Sequence, residues 1–143
     1  MRSASLSGGH LRSSAAPRGQ PDPIHMIAIL DYGAGNLRSV ANTLEAVGAR
    51  YRIVRDAAGV LDASKIILPG VGHFGQMMRA LDTMRVREAL CDAIRRGTPF
   101  LGICLGLQAL LEASDEAPGV AGLGLIEGVV RRFPAGARVP HMG

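Results

Sequence analysis

From Met26 onward, short apolar runs alternate with segments whose apolar residues recur at helical spacing, and this alternation constrains the fold more than any other feature. "MIAIL" (Met26 to Leu30) predicts a buried strand, and "DYGAGN" a glycine-rich turn. Leu37, Val40, Ala41, Leu44 and Val47 then mark one face of a helix closed by Gly48. "RYRIVRD", "KIILPG" and "FLGIC" read as three further strands. Between the last two, residues 76–96 place Met77, Leu81, Val86, Leu90, Ala93 and Ile94 at helical positions. An interruption is expected near Asp82 and Thr83, and a stop at Gly97 and Pro99. Leu107, Leu110 and Leu111 predict another helix from Leu105, and "GLGLIEGVVRRF" an antiparallel hairpin bent near Gly128. Strands that alternate with helices imply an α/β fold, a parallel sheet covered by helices on both faces and joined by right-handed crossovers. In such sheets the chemistry lies at the carboxyl ends of the strands, here the loops after Leu30, after Leu68 and at Cys104.

The 143 residues, 48% hydrophobic, suffice for one globular domain. No apolar run approaches the roughly 20 residues that cross a bilayer, so no membrane association and a cytoplasmic location are expected. Residues 1–25, rich in Ser, Gly, Pro and Arg, are expected to be a disordered extension ahead of the domain at residues 26–143. They superficially resemble a transit peptide, but Met26 at the head of the first strand is the expected true start. The net charge of +4 is shared between that extension, with three Arg and one Asp, and a nearly balanced body. With five Tyr and Phe residues and no Trp to stack on bases, the chain is not expected to bind nucleic acid.

Gly102-Ile103-Cys104-Leu105-Gly106 has the G-x-S-x-G spacing of a nucleophile elbow, with sulfur in place of the hydroxyl. A tight strand-to-helix turn strains the backbone of its central residue and exposes the side chain, and flanking glycines let neighbouring backbone approach. At a helix N-terminus the thiolate would be favoured over the thiol, and the Leu105 N–H would face a developing oxyanion. The pentapeptide by itself leaves open a buried structural cysteine at a tight turn.

"LPGVGHFG" (Leu68 to Gly75) supplies a facing loop in which Pro69, Gly70 and Gly72 permit amide groups to converge on an anion, with Val71 or Gly72 as a second oxyanion donor. It lacks the G-x-x-x-x-G-K-[ST] of a phosphate loop, and "DYGAGN" is not G-x-G-x-x-G. His73 is expected to be a structural hydrogen bonder, with a catalytic base as the alternative. Cys91 is expected to pack in a helix, both cysteines to be free, and no pair of residues has zinc-ligand spacing.

The segments "MIAILDYGAGNLRSVANTLEAVGA", "LPGVGHFG", "GICLGLQALLEAS", "GLGLIEGVVRRF" and "VPHMG", in this order, closely resemble the class I (triad) glutamine amidotransferases, which share a flavodoxin-like fold. "GICLG" carries the class, and "DYGAGN", "PGVGHFG" and "PHMG" its histidine-biosynthesis branch, the glutamine amidotransferase subunits of imidazole glycerol phosphate synthases. The resemblance covers Met26 to Gly143. It implies a glutaminase in which Cys104 attacks the side-chain amide of L-glutamine and forms a glutamyl thioester. It further implies a heterodimer, in which ammonia passes through a tunnel to a cyclase with a (β/α)8 barrel, and no cofactor. Gly70, Val71 and Gly72 match the oxyanion strand, which reorients when the partner's site is occupied. Leu105 matches the other oxyanion donor, and Gln108 a position that contacts glutamine. Asn36, Pro140, His141 and Met142 match positions facing the cyclase.

The family's catalytic His and Glu belong to a later segment resembling "FHPE" that residues 1–143 do not include. His141 matches the interface segment and is not their substitute. The expectation is therefore a domain incomplete at its C-terminus and a 143-residue chain with little glutaminase activity by itself, with "GLGLIEGVVRRF" and "PHMG" lacking strand partners. A non-catalytic, cyclase-binding or regulatory module is the alternative.

Overall fold

The computed structural model describes residues 26–137. The expectations placed on residues 1–25 and on Pro140, His141 and Met142 therefore lie outside the described residues.

Four parallel strands form one sheet: β1 (Ile27–Leu30), β2 (Tyr51–Val54), β3 (Lys65–Gly70) and β4 (Phe100–Cys104), in the order β2-β1-β3-β4. Ala28 aligns with Arg52 and Ile66, and Ile66 in turn with Phe100, so strand residues two apart share a face. On one face Ala28, Leu30, Val54, Ile66 and Leu68 meet three helices, α2 (Ala57–Leu61), α3 (Phe74–Thr83) and α4 (Arg87–Arg95), in a single buried core. Phe74, Met77, Met78, Leu81 and Leu90 are wholly enclosed there, each side chain stabilising the fold by about 1.5–3 kcal/mol.

Among the described residues, the other face carries only α1 (Leu37–Ala46). Leu37, Val40, Ala41 and Leu44 are half-buried on it, as their spacing predicts, but Val47 caps the helix end in solvent. Beside α1 a shallow apolar groove is lined by Val40, Leu44, Ile67, Leu101 and Ile103. Helices thus lie on both faces, with unequal coverage.

The expected interruption between two helices falls two residues later than predicted. Met84 caps α3 and Arg85 adopts φ 55°, so its N–H reaches the Asp82 carbonyl while that of Val86 reaches the Leu81 carbonyl. The Asp82 carboxylate in turn pairs with the Arg87 guanidinium, which also donates to the Gly122 carbonyl at 2.8 Å. α2 has no counterpart in the sequence expectations. It is only five residues long, capped by Asp56, whose side chain accepts the Gly59 N–H at 2.7 Å.

Of the expectations after Cys104, the helix is present but short, and the hairpin is overturned. The helix from Leu105, α5 (Leu105–Gln108), stops after four residues, and Leu107 is 53% exposed. The chain turns because backbone amides of Leu123, Gly124, Leu125 and Ile126 donate to the carbonyls of Ala109, Leu111 and Leu110, groups that a longer helix would occupy. Those amides, being spent, cannot form a hairpin. "GLGLIEGVVRRF" contributes instead β6 (Val129–Val130), which pairs in parallel with β5 (Ala113–Ser114), so the segment does have a strand partner.

Candidate functional site

β3 and β4 end side by side, with Gly70 opposite Cys104 in the register. Cys104 adopts φ 55° and ψ −114°, a left-handed conformation that a side chain disfavours. Three glycines hold it there. A Cβ on Gly106 would run into the Leu68 carbonyl, one on Gly102 would lie 2.5 Å from the Gly106 oxygen, and one on Gly70 2.5 Å from the Gly106 nitrogen. The backbone of the turn is thus wedged against β3, and the strain at Cys104 is imposed by packing on both sides. The thiol is exposed, unlike that of Cys91, which is buried with its sulfur facing the Leu123 carbonyl; burial pushes the Cys91 thiol up. This separation excludes the packed-cysteine alternative for Cys104 and supports the packing expectation for Cys91.

Cys104 opens on a cavity of about 300 Å³. Val71, Gly72, Leu105 and Gln108, all proposed from sequence, line it, whereas Gly70 lies beneath as backbone support. The far wall comes from residues the sequence did not single out. Ser114 and Val130 belong to the β5–β6 pair, and Glu116, Arg131 and Arg132 follow from those strands. The Asp115 carboxylate ties this wall together, accepting from the Arg132 N–H at 3.1 Å and the Arg131 guanidinium at 3.4 Å. Nothing in "ASDEAPG" distinguishes Glu116 from its acidic neighbour. Only the fold brings it to the N-terminus of α3, where its carboxylate accepts the Phe74 N–H at 2.7 Å.

His73 caps α3, its Nδ1 accepting the Gly75 N–H at 3.1 Å, which agrees with the structural role expected of it. Asn36 caps α1 by accepting the Ser39 N–H at 3.2 Å; its expected place at a partner surface rests on its exposure alone. The thiol stands at the N-terminus of a helix, as expected, although α5 has only four residues. Of the two oxyanion donors expected of the facing loop, Val71 or Gly72, the Val71 N–H is directed onto the Tyr32 hydroxyl at 3.2 Å.

Tyr32 is buried, which pushes its phenol up; the Val71 hydrogen bond acts the other way, and the Cys104 charge adds to the rise. The turn that carries it is fixed by Asp31, whose carboxylate accepts from the Gly33 N–H at 2.9 Å and from the Arg55 guanidinium at 2.8 and 2.7 Å. The Gly33 hydrogen bond, opposed by burial and helped by Arg55, holds the Asp31 carboxyl below its usual range. Among the described residues no histidine lines the Cys104 cavity, and no cluster of three or more His, Cys, Asp or Glu could hold a metal ion.

A strained cysteine at the carboxyl end of a parallel sheet, facing a glycine-rich loop across a cavity, defines an α/β protein with a cysteine nucleophile elbow. The chain belongs to the glutamine amidotransferase class-I family, whose sequence profile matches residues 28–137. It is 53% identical over 115 residues to the imidazole glycerol phosphate synthase subunit HisH of Thermus thermophilus, covering 80% of this chain and 58% of that protein. HisH of Methanothermobacter thermautotrophicus is 53% identical over 118 residues, covering 82% of this chain and 59% of that protein. The chloroplastic hisHF synthase of Arabidopsis thaliana is 48% identical over 120 residues, covering 82% of this chain and 20% of that protein. The chain thus spans less than three fifths of the length of the HisH relatives. Among solved structures, one described as a glutamine amidotransferase superposes with a TM-score of 0.66 at 21% identity, over 79% of this chain and 59% of that one. A putative peptidase E protein from Listeria monocytogenes EGD-e gives 0.57 at 12%, over 71% of this chain and 63% of that one. These two likenesses establish the fold alone; differently named proteins share it, so the reaction has to be argued from the site.

Proposed function

We propose that this chain provides the glutamine-hydrolysing subunit of an imidazole glycerol phosphate synthase, supplying ammonia to a cyclase partner with a (β/α)8 barrel in histidine biosynthesis. The observation that carries the reading is the strained, exposed Cys104 at a cavity walled by Val71, Gly72 and Gln108, in a family member about half identical to proteins named as synthase subunits.

In this reading the Cys104 sulfur attacks the side-chain amide carbon of glutamine. A C–S bond forms, the carbonyl oxygen takes the negative charge, and the C–N bond then breaks as ammonia leaves with an added proton. Water displaces the sulfur from the resulting glutamyl thioester, giving glutamate and restoring the thiol. The Leu105 N–H, at the first helical position and so without an intrahelical acceptor, is a donor for the oxyanion. The second is the Val71 N–H, once it leaves Tyr32. Gln108 contacts the substrate, while Glu116 and Arg131, both on the far wall, suit the α-ammonium and α-carboxylate of an amino acid. Asn36, Pro140, His141 and Met142 are the residues we assign to the cyclase-facing surface.

Covalent addition of an electrophilic analogue needs only the nucleophile and the oxyanion donors, whereas acylation by glutamine needs a group that protonates the leaving ammonia, and turnover one that activates water. The described residues place no histidine at the cavity for that work. The test has two parts. A diazoketone analogue of glutamine should add covalently to Cys104 in the 143-residue chain, with glutamine protecting and Cys104→Ala abolishing the addition. Ammonia release should be slight in that chain and rise when it is extended by the C-terminal part of the Thermus thermophilus relative. Cyclase binding by the extended chain with no ammonia release under any condition would refute the catalytic reading in favour of a non-catalytic binding module.

A further inference from the structure

Tyr32 sits just after β1, buried and outside the cavity lining, yet its hydroxyl takes the Val71 N–H, which the function proposed above assigns to the oxyanion. A backbone amide has a single hydrogen, so a bond to the phenol oxygen and a strong bond to an oxyanion compete for it. The loop is free to change between them. Val71 is 50% exposed, and Gly72, at φ 92°, has nothing within 4 Å of where a Cβ would be. The tyrosine is not free. It follows Asp31, whose carboxylate is engaged by both Gly33 and Arg55, so the acceptor stays in place while the donor can move. Resting on the glutaminase reading above, we propose that Tyr32 is the latch of the oxyanion loop: its hydroxyl holds the Val71 N–H out of the cavity at rest, and reaction at Cys104 requires that amide to leave it. Tyr32 is thus a positioning residue. It acts on the reaction through Val71 and restrains, where an oxyanion donor would assist. The sequence shows the loop and the nucleophile but not this contact, because Tyr32 and Val71 lie 39 residues apart and meet only through the pairing of β1 with β3.

The test compares the 143-residue chain with its Tyr32→Phe variant, using the diazoketone analogue of glutamine as the probe and hydrogen exchange of the Val71 amide as a readout independent of reactivity. Removing the hydroxyl should speed Val71 exchange and raise the rate of Cys104 addition roughly three- to tenfold, the factor equivalent to one ordinary net hydrogen bond. Tyr51→Phe, which removes a hydroxyl bonded to Glu45 far from the cavity, should change neither. An addition rate in Tyr32→Phe that is unchanged or lower overturns the latch, as does Val71 exchange that does not quicken. If the analogue adds to neither chain while Val71 exchange quickens in Tyr32→Phe, the glutamine reading falls and the hydrogen bond stands. Should Tyr32→Phe fail to fold, the wild-type chain still decides. Its Val71 N–H resonance must shift on addition of the analogue, as the acceptor changes from hydroxyl to ketone oxygen, and a resonance that stays in place overturns the proposal.

Discussion

The two glycine-rich loops that face each other across the cavity use glycine for opposite ends. At the elbow, Gly102, Gly106 and Gly70 are glycines because backbone from β3, β4 and α5 occupies the space a side chain would need, and the result is one enforced conformation at Cys104. In the facing loop, Gly72 is a glycine because of its φ of 92°, with open space around it, and Val71 beside it is half exposed. One loop is fixed by contact; the other is permitted by freedom. A nucleophile must be held where its substrate will be, whereas a donor required only in the transition state can be withheld until then. The pair divides those tasks.

The contrast is broken most severely by Gly106→Ala. Its Cβ would overlap the Leu68 carbonyl inside the sheet, with backbone on both sides and no flexible side chain to yield. A loss of about 3 kcal/mol or more is expected, read as a fall in the midpoint of urea denaturation. A midpoint within experimental error of the parent would mean that the elbow is not fixed by contact. Gly72→Ala tests the other half. The cost is conformational alone, about 1–2 kcal/mol, and Val71 exchange should change with it, since the strained residue adjoins the latched amide. A loss as large as that of Gly106→Ala would erase the distinction between the loops.

The fixed loop was the more legible of the two in the sequence. Strand, glycine, cysteine, glycine and helix are contiguous between Phe100 and Gln108, and local spacing carried the reading. The parallel character of the sheet was legible from the succession of strands and helices, and the face of α1 and the packing of Cys91 from periodicity within single segments. What the sequence withheld depends on contacts between distant segments. The end of α5 is decided by amides from residues 123–126, the parallel β5–β6 pair by Glu112 and Asp115 bonding to the carbonyls of Gly128 and Val130, and the cavity wall by Glu116 reaching α3. Short elements such as α2 escape periodicity because five residues barely complete one turn.

The latch side of the comparison also depends on pH. The carboxyl of Asp31, which fixes the turn carrying Tyr32, is held low chiefly by the Gly33 N–H and then by Arg55. An acid whose pKa is lower in the folded than in the unfolded state stabilises the fold above the unfolded value of about 3.9, and that contribution is lost as pH falls through the folded value. Arg55 is largely exposed, which screens its share, so the expected worth is about 1 kcal/mol. Asp31→Asn should therefore lower stability at pH 7 by about that amount and lose its penalty progressively below pH ~4. Equal penalties at neutral pH and in acid well below the unfolded value, read from denaturation curves, would show that the charge plays no part in holding the turn.

The smallest effect expected is a gain. Cys104 is held in its conformation against its own preference, so Cys104→Gly relieves a strain of about 1–2 kcal/mol while adding unfolded-state entropy that costs about 0.5–1 kcal/mol. A net stabilisation of roughly 0.5–1 kcal/mol should remain, with all covalent addition of the glutamine analogue lost. Cys104→Ala keeps the Cβ and hence the strain, so it should abolish addition without the gain. The difference between the two variants measures what the elbow spends to present its thiol. If they are equally stable, the turn at Cys104 is relaxed, and the three glycines around it serve packing alone.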